Sequence, residues 1–205
     1  MIVLHASQKN LMNEGELMSR YEIRLCGFGG QGIALAGKII GAAASFFEDK
    51  NSVTTQSYGP ESRGGASASN VVFSDGVVDY PYVTEPDIFI CMSKEAYTKY
   101  IDSLKEGGLF LYEEDLVPVD TRMNKAGKIY SIPATSIAEK ELGRKIVANI
   151  IMVGFFAELN NAIDSKNLLK ATLRLVPARF KALNEKAFNV GMNYAKKLKQ
   201  QEATK

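Results

Sequence analysis

The sequence predicts a three-layer α/β/α domain with a mixed, mostly parallel sheet and a helical C-terminal part. Three observations predict it. Short apolar runs of strand length alternate with longer helix-like runs as far as Ile132. A glycine cluster joins the first convincing strand to the first convincing helix. From Pro133 onward the apolar spacing is helical only.

The elements follow in order. Tyr21–Cys26 reads as the first strand. Ile33 to Phe47 is apolar or small nearly all round, the pattern of a helix buried against a sheet. Gly37 and Gly41 lie four apart on one face of it, which permits close approach of a neighbouring strand at some cost in helix propensity. Ser52–Gln56 and Ala68–Ser74 read as strands, separated by a loop rich in glycine with one proline. Asp75-Gly76 has hairpin chemistry and leads into Val77–Tyr80 as a further strand, which favours a mixed sheet. Pro81 and Pro86 bracket an extended connection.

Asp87–Met92 is a buried strand, and Ser93 is placed to cap a helix to about Leu104, with Ala96 at its third position. Leu109–Tyr112 and Lys128–Ile132 are strands. Thr135 or Ser136 caps a helix through Leu142. Arg144–Asn160 is a long apolar helix, Asp164-Ser165 starts a short one, and Ala178–Gln201 is long and more polar.

At 205 residues the chain is long enough for one well-buried domain. The expected division is an extension over 1–18 and a single domain over 19–205. A net charge of +2 gives no basic surface for nucleic acid. The Lys196-Lys197-Leu198-Lys199 cluster reads as a solvated helix end. The most apolar stretch, Ile146 to Leu159, is too short to span a bilayer and reads as a core helix. The first residues lack the pattern of a secretory signal.

Cys26 and Cys91 are the only cysteines, both in apolar runs, and read as buried structural thiols in an intracellular composition. His5 is the only histidine, so a histidine metal site or a histidine-based triad has almost no material. The Glu113-Glu114-Asp115 run reads as a solvated loop rather than a metal site, and Lys38 as a solvated helix residue. The phenylalanines Phe46, Phe47, Phe110, Phe155 and Phe156 read as core.

Gly27-Phe28-Gly29-Gly30-Gln31-Gly32 fits G-x-G-x-x-G between strand and helix, a Rossmann-like start that aims backbone N–H groups at one point. A nicotinamide site needs an Asp or Glu at the end of the second strand, and Ser52 to Ser57 contains none. Gln31 either bonds a ligand or caps backbone carbonyls.

The second loop, Ser57-Tyr58-Gly59-Pro60-Glu61-Ser62-Arg63-Gly64-Gly65, is more unusual. Arg63 offers a planar fork for phosphate or carboxylate, and Gly64 and Gly65 can expose N–H groups beside it. Arg63 paired with Glu61 in a sharp turn reads equally well. By position the loop follows the second strand, which would put it beside the first glycine loop.

Both loops in this order resemble those of the gamma subunits of 2-oxoacid:ferredoxin oxidoreductases. The resemblance continues through Tyr80-Pro81, Pro86-Asp87, Ile132-Pro133-Ala134-Thr135, Asn149 and Asn184-Glu185-Lys186-Ala187-Phe188, and covers about Tyr21 to Gly191. It implies a cytoplasmic complex that converts a 2-oxoacid, coenzyme A and oxidised ferredoxin to acyl-CoA, carbon dioxide and reduced ferredoxin. Thiamine diphosphate with Mg and iron–sulfur clusters are implied for alpha, beta and ferredoxin-like delta partners, with no catalytic residue on this chain.

The subfamily most resembled acts on 2-oxoglutarate, rather than pyruvate or ketoisovalerate. Coenzyme A is a polyanion that the two loops suit. The site residues expected are Gly27, Gly29, Gly30, Gln31 and Gly32 in one loop, and Ser57, Tyr58, Gly59, Glu61, Arg63, Gly64 and Gly65 in the other. Alternatives are a free-standing NAD(P)-dependent oxidoreductase and a regulatory nucleotide-binding module.

Overall fold

A computed structural model describes residues 2–4, 20–58 and 65–204. Among them, β1 (Ile2–Leu4), β2 (Arg20–Phe28), β3 (Asn51–Ser57), β4 (Ala66–Ser74), β5 (Ile88–Cys91), β6 (Leu109–Glu113) and β7 (Lys128–Ile132) form one sheet in the order β1-β3-β4-β2-β5-β6-β7. Strands β2, β5, β6 and β7 pair in parallel. Strand β3 runs the same way, but β4 lies antiparallel between it and β2. The helices are α1 (Ile33–Phe47), α2 (Lys94–Tyr100), α3 (Ala134–Leu142), α4 (Ala148–Leu159), α5 (Ser165–Leu175) and α6 (Lys181–Ala203).

Strand alternation divides the sheet into two buried faces. Ile23, Leu25, Ile88 and Ile90 join the larger core with residues of α1 and α3 to α6. Cys26, Phe89, Cys91 and Phe110 join a second core with Tyr97 of α2. The layers are therefore helices, mixed sheet, helix. No described helix is long and apolar enough to cross a membrane.

Two pairs of glycines set the packing of the larger layer. A Cβ on Gly37 would stand 2.0 Å from Ser69 Oγ, and one on Gly41 2.5 Å from Thr54 Oγ1, so α1 lies directly on β4 and β3. In α4 and α6 the approach is backbone to backbone. A Cβ on Gly154 would meet the Phe188 carbonyl oxygen at 2.0 Å, and one on Gly191 that of Ile151 at 1.9 Å.

The helix starts are capped as the sequence indicates in two cases. Ser93 accepts a hydrogen bond from the Ala96 N–H at 3.2 Å, and Asp164 from the Lys166 N–H at 2.7 Å. Helix α3 differs. Its cap position is Pro133, and neither Thr135 nor Ser136 serves. The Glu113 carboxylate at the end of β6 accepts instead from the Thr135 N–H (2.8 Å) and hydroxyl (2.9 Å). Glu113 is thus fully buried rather than solvated.

The expected Asp75-Gly76 hairpin and Val77–Tyr80 strand are absent. Strand β4 is already flanked by β3 and β2 along its length, so no edge is left for a further strand to pair with. The hairpin of this sheet joins β3 to β4 through the second loop. Phe46 is also not core. It is 44% exposed, with the Arg174 guanidinium 4.5 Å from its ring centre.

Candidate functional site at the glycine end of the sheet

The first loop leaves the C-terminal end of β2 and is largely occupied with itself. Gln31 is a strap: its Oε1 accepts from the Phe28 N–H at 2.9 Å, and its Nε2 donates to the Met92 carbonyl at 2.8 Å. It therefore ties the loop to the end of β5. Gly27 is buried in β2, and a Cβ there would lie 2.4 Å from Gln31 Oε1. The Ser67 hydroxyl donates to the Gly27 carbonyl at 3.2 Å.

Gly32 is the cap residue of α1, left-handed at φ 76°, and its Cα faces Asn149. The Asn149 side-chain amide donates to the Gly32 carbonyl at 3.2 Å, while its oxygen accepts from the Ile150 N–H at 2.9 Å. Of the glycines in this loop, Gly29 and Gly30, the latter at φ 104°, have no neighbour within 4 Å of an added Cβ among the described residues, and they lie beside the partly exposed Phe28 ring. These three residues are exposed. Gln31, Gly27 and Gly32 shape the loop from behind. Asn149 had a sequence signal, a lone amide inside an apolar helix, but no local spacing links it to Gly32.

The second loop leaves the same end of the sheet. Phe28 pairs with Ala66 and Gly27 with Ser67, so Gly65 emerges next to the first loop. Ser57 ends β3 and is exposed, as is Tyr58, whose hydroxyl bonds Gln56 Oε1. Gly59, Glu61, Arg63 and Gly64 lie outside the described residues. The expectation that the two loops share one sheet edge holds for the residues that anchor them.

The strand order bears on the nicotinamide alternative. In a dinucleotide unit the strand after the first helix lies next to the first strand. Here β4 separates them, which places β3 about 10 Å from β2 rather than one strand spacing away. The place for a ribose-binding carboxylate is displaced as well as empty of acid. A cavity of about 610 Å³ opens at the opposite end of the sheet, lined by Ile88, Leu109 and Lys128 at the starts of their strands, and touches neither loop.

Other chemistry-bearing residues are committed internally. Cys26 and Cys91 are buried free thiols on directly paired positions of β2 and β5. Burial, then the neighbouring Cys91 sulfur, pushes the Cys26 thiol well up, which makes it a poor nucleophile. The two cysteines do not fit an iron–sulfur cluster, which takes four thiolates. Of the acidic run, Glu113 caps α3, Glu114 accepts from Ser131, and Asp115 from Ser136. No described group of three or more His, Cys, Asp or Glu is arranged to hold a metal ion. Lys38 is exposed, as expected.

The fold and junction define an α/β protein with a modified Rossmann-like start, in which an antiparallel β4 separates the first strand from the strand that follows the first helix. Its sequence matches the family model for pyruvate ferredoxin/flavodoxin oxidoreductase over residues 22–194. The chain belongs to that family. It is 49% identical over 187 residues to the 2-oxoglutarate synthase subunit KorC of Methanocaldococcus jannaschii, covering 91% of this chain and 100% of the relative.

Among solved structures, it matches the keto/oxoacid ferredoxin oxidoreductase gamma subunit of Geobacter sulfurreducens with a TM-score of 0.76 and 41% identity, covering 86% of this chain and 97% of that one. It also matches the 2-oxoglutarate:ferredoxin oxidoreductase of Magnetococcus marinus, determined with 2-oxoglutarate, coenzyme A and succinyl-CoA bound. There the TM-score is 0.72 and the identity 28%, over 86% of this chain and 31% of that one.

Proposed function

We propose that this chain is the gamma subunit of a 2-oxoglutarate:ferredoxin oxidoreductase. The complex would convert 2-oxoglutarate, coenzyme A and oxidised ferredoxin to succinyl-CoA, carbon dioxide and reduced ferredoxin. One observation carries the reading: the alignment to a 2-oxoglutarate synthase subunit runs the whole length of that relative. Thiamine diphosphate, Mg and the iron–sulfur clusters would belong to the alpha, beta and ferredoxin-like delta partners; two cysteines are too few for a cluster held by four thiolates. Residues 19–205 act as one domain with 1–18 as an extension. The free, buried cysteines fit a reducing cytoplasm.

In this reading the chain's contribution is to shape access for coenzyme A. Gly29 and Gly30 have no neighbour among the described residues on their open side at the end of β2, and Arg63 precedes Gly65 in the chain by two residues. A pyrophosphate or 3′-phosphate would take the Arg63 fork and glycine N–H groups together. The Michaelis constant for coenzyme A of the complex carrying Arg63→Ala tests it. Removing a charge-assisted hydrogen bond to a phosphate raises that constant about tenfold or more, with the constant for 2-oxoglutarate unchanged. An unchanged coenzyme A constant with impaired assembly would instead make the loops an interface. The exposure of Phe28 and Tyr58 beside them is the observation that makes this outcome worth testing.

A further inference from the structure

The connection between β4 and β5, residues 75–87, has no regular structure, yet it is held rigidly. The Arg20 guanidinium donates to the Tyr80 carbonyl at 2.9 Å and the Tyr82 carbonyl at 3.3 Å, and pairs with Glu22 at 2.8 Å. The second Glu22 oxygen accepts from the Thr84 N–H at 2.9 Å. Arg24, largely buried, donates to the Val83 carbonyl at 2.5 Å, and Asp87 accepts from the Glu22 N–H at 2.8 Å. The backbone is therefore pinned along its length, and the Val83 side chain anchors it in the protein.

What this pinned segment shows to solvent is apolar and aromatic. Val77 is 72% exposed, Tyr80 54% and Tyr82 59%, and the two rings meet edge to face at 5.4 Å. A depression of about 340 Å³ lies beside Val77, Asp79 and Tyr80. Preordered tyrosines next to a depression lose little entropy on binding, which is the character of interface hot spots.

The charge of the segment is one-sided. No lysine or arginine occurs between Arg63 and Lys94, whereas Asp75, Asp79, Glu85 and Asp87 all fall there. Asp87 is paired with Lys105, and Asp75 lies 3.8 Å from Lys50. Asp79 and Glu85 are exposed and take part in no ion pair among the described residues. The two arginines below are consumed in pinning the backbone. The surface thus offers tyrosine faces together with carboxylates that make no close ion pair among the described residues, although Glu85 is near enough to Lys105 to raise its pKa; the combination suits a cation on an apolar stem.

We propose that residues 77–85 form the docking surface for a companion subunit of the complex, which presents a basic segment with arginine or lysine side chains on Tyr80 and Tyr82, against Asp79 and Glu85. The proposal rests on the reading of the chain as a subunit. The surface lies beyond the start of β2, about 26 Å along that strand from the glycine turn. Docking there tethers the chain by one end and leaves the loops of the other end free to face the reaction.

The test uses the native complex, isolated through the tagged full-length chain. Two double variants replace the wild-type chain: Asp79→Lys with Glu85→Lys, and Tyr80→Ser with Tyr82→Ser. Retention of the other subunits is measured from low to high salt, with thermal unfolding as the folding control. Should charge reversal disturb folding, Asp79→Asn with Glu85→Gln takes its place.

The expected result is that reversal weakens retention about tenfold or more at low salt, narrowing as salt rises. The tyrosine variant weakens it at every salt concentration. Wild-type retention by both well-folded variants overturns the proposal while the subunit reading stands. A wild-type chain isolated without other subunits overturns both. Loss of self-association, with other subunits retained, assigns the surface to a second copy of this chain and overturns the companion assignment.

Discussion

Replacing Gln31 tests whether this side chain holds the glycine loop or reaches a ligand. Gln31→Ala removes two hydrogen bonds of 2.9 and 2.8 Å, to the Phe28 N–H and the Met92 carbonyl. Each contributes about 1 kcal/mol net, so the loss is about 2 kcal/mol. For a chain of this size that lowers the melting temperature by roughly 4–8 °C. Gln31→Glu sharpens the test. It keeps an acceptor for Phe28 but sets a carboxylate oxygen against the Met92 carbonyl, so it should destabilise at least as much as alanine. The assay is thermal unfolding of the purified chain, followed by the coenzyme A Michaelis constant of the assembled complex. Melting within a degree or so of wild type, together with a raised constant for both variants, would refute the strap and make Gln31 a ligand-binding residue.

Gly191→Ala should destabilise by about 2 kcal/mol or more, because its Cβ would meet the Ile151 backbone at 1.9 Å and the helices α4 and α6 must separate. No side-chain truncation should rescue it. Gly37→Ala meets the Ser69 side chain instead, so adding Ser69→Gly should restore much of the loss. Denaturant titration of the single and double variants checks both. The Glu113 carboxyl is raised above its ordinary value of 4.5 by burial, against the opposing bonds from Thr135 and Asp115. A raised carboxyl contributes stability below its unfolded value and loses it as pH rises through the folded value. The melting temperature of Glu113→Gln should therefore gain on wild type as pH rises from about 4 toward neutrality. A gain by wild type over that range would mean that the capping bonds outweigh burial.

Local chemistry made much of this fold readable. The bounds of α1 followed from the glycine turn before Ile33 and the change of composition after Phe47. Strand β7 and the Ser93 cap were also legible, since each depends on neighbouring residues. The departures are all long-range. An antiparallel β4 between β2 and β3 is a choice of pairing partner, on which the strands' own residues are silent. The reading of Asp75-Gly76 as a hairpin failed for the same reason: the turn chemistry is there, but both edges of β4 are taken. The Glu113 cap of α3 spans 22 residues and the Asn149 lock on Gly32 spans 117, so neither leaves a spacing motif.

The sequence placed both loops at one end of the sheet, and the described residues that anchor them are paired on β2 and β4. It did not separate residues that face outward from those spent on the loop itself. Gln31 and Gly29 look alike in a motif, yet one is turned inward between two backbone groups and the other has no close neighbour among the described residues. That distinction depends on Met92 and Asn149, brought in from β5 and α4 by the fold.

The most direct test of the subunit assignment is to isolate the native assembly through this chain and follow coenzyme A-dependent ferredoxin reduction with 2-oxoglutarate, pyruvate and 2-oxoisovalerate in turn. The account predicts companion subunits in the assembly and a kcat/KM highest for 2-oxoglutarate, with succinyl-CoA as product. A chain that purifies alone and binds NADH tightly, or an assembly that prefers another 2-oxoacid, would contradict it.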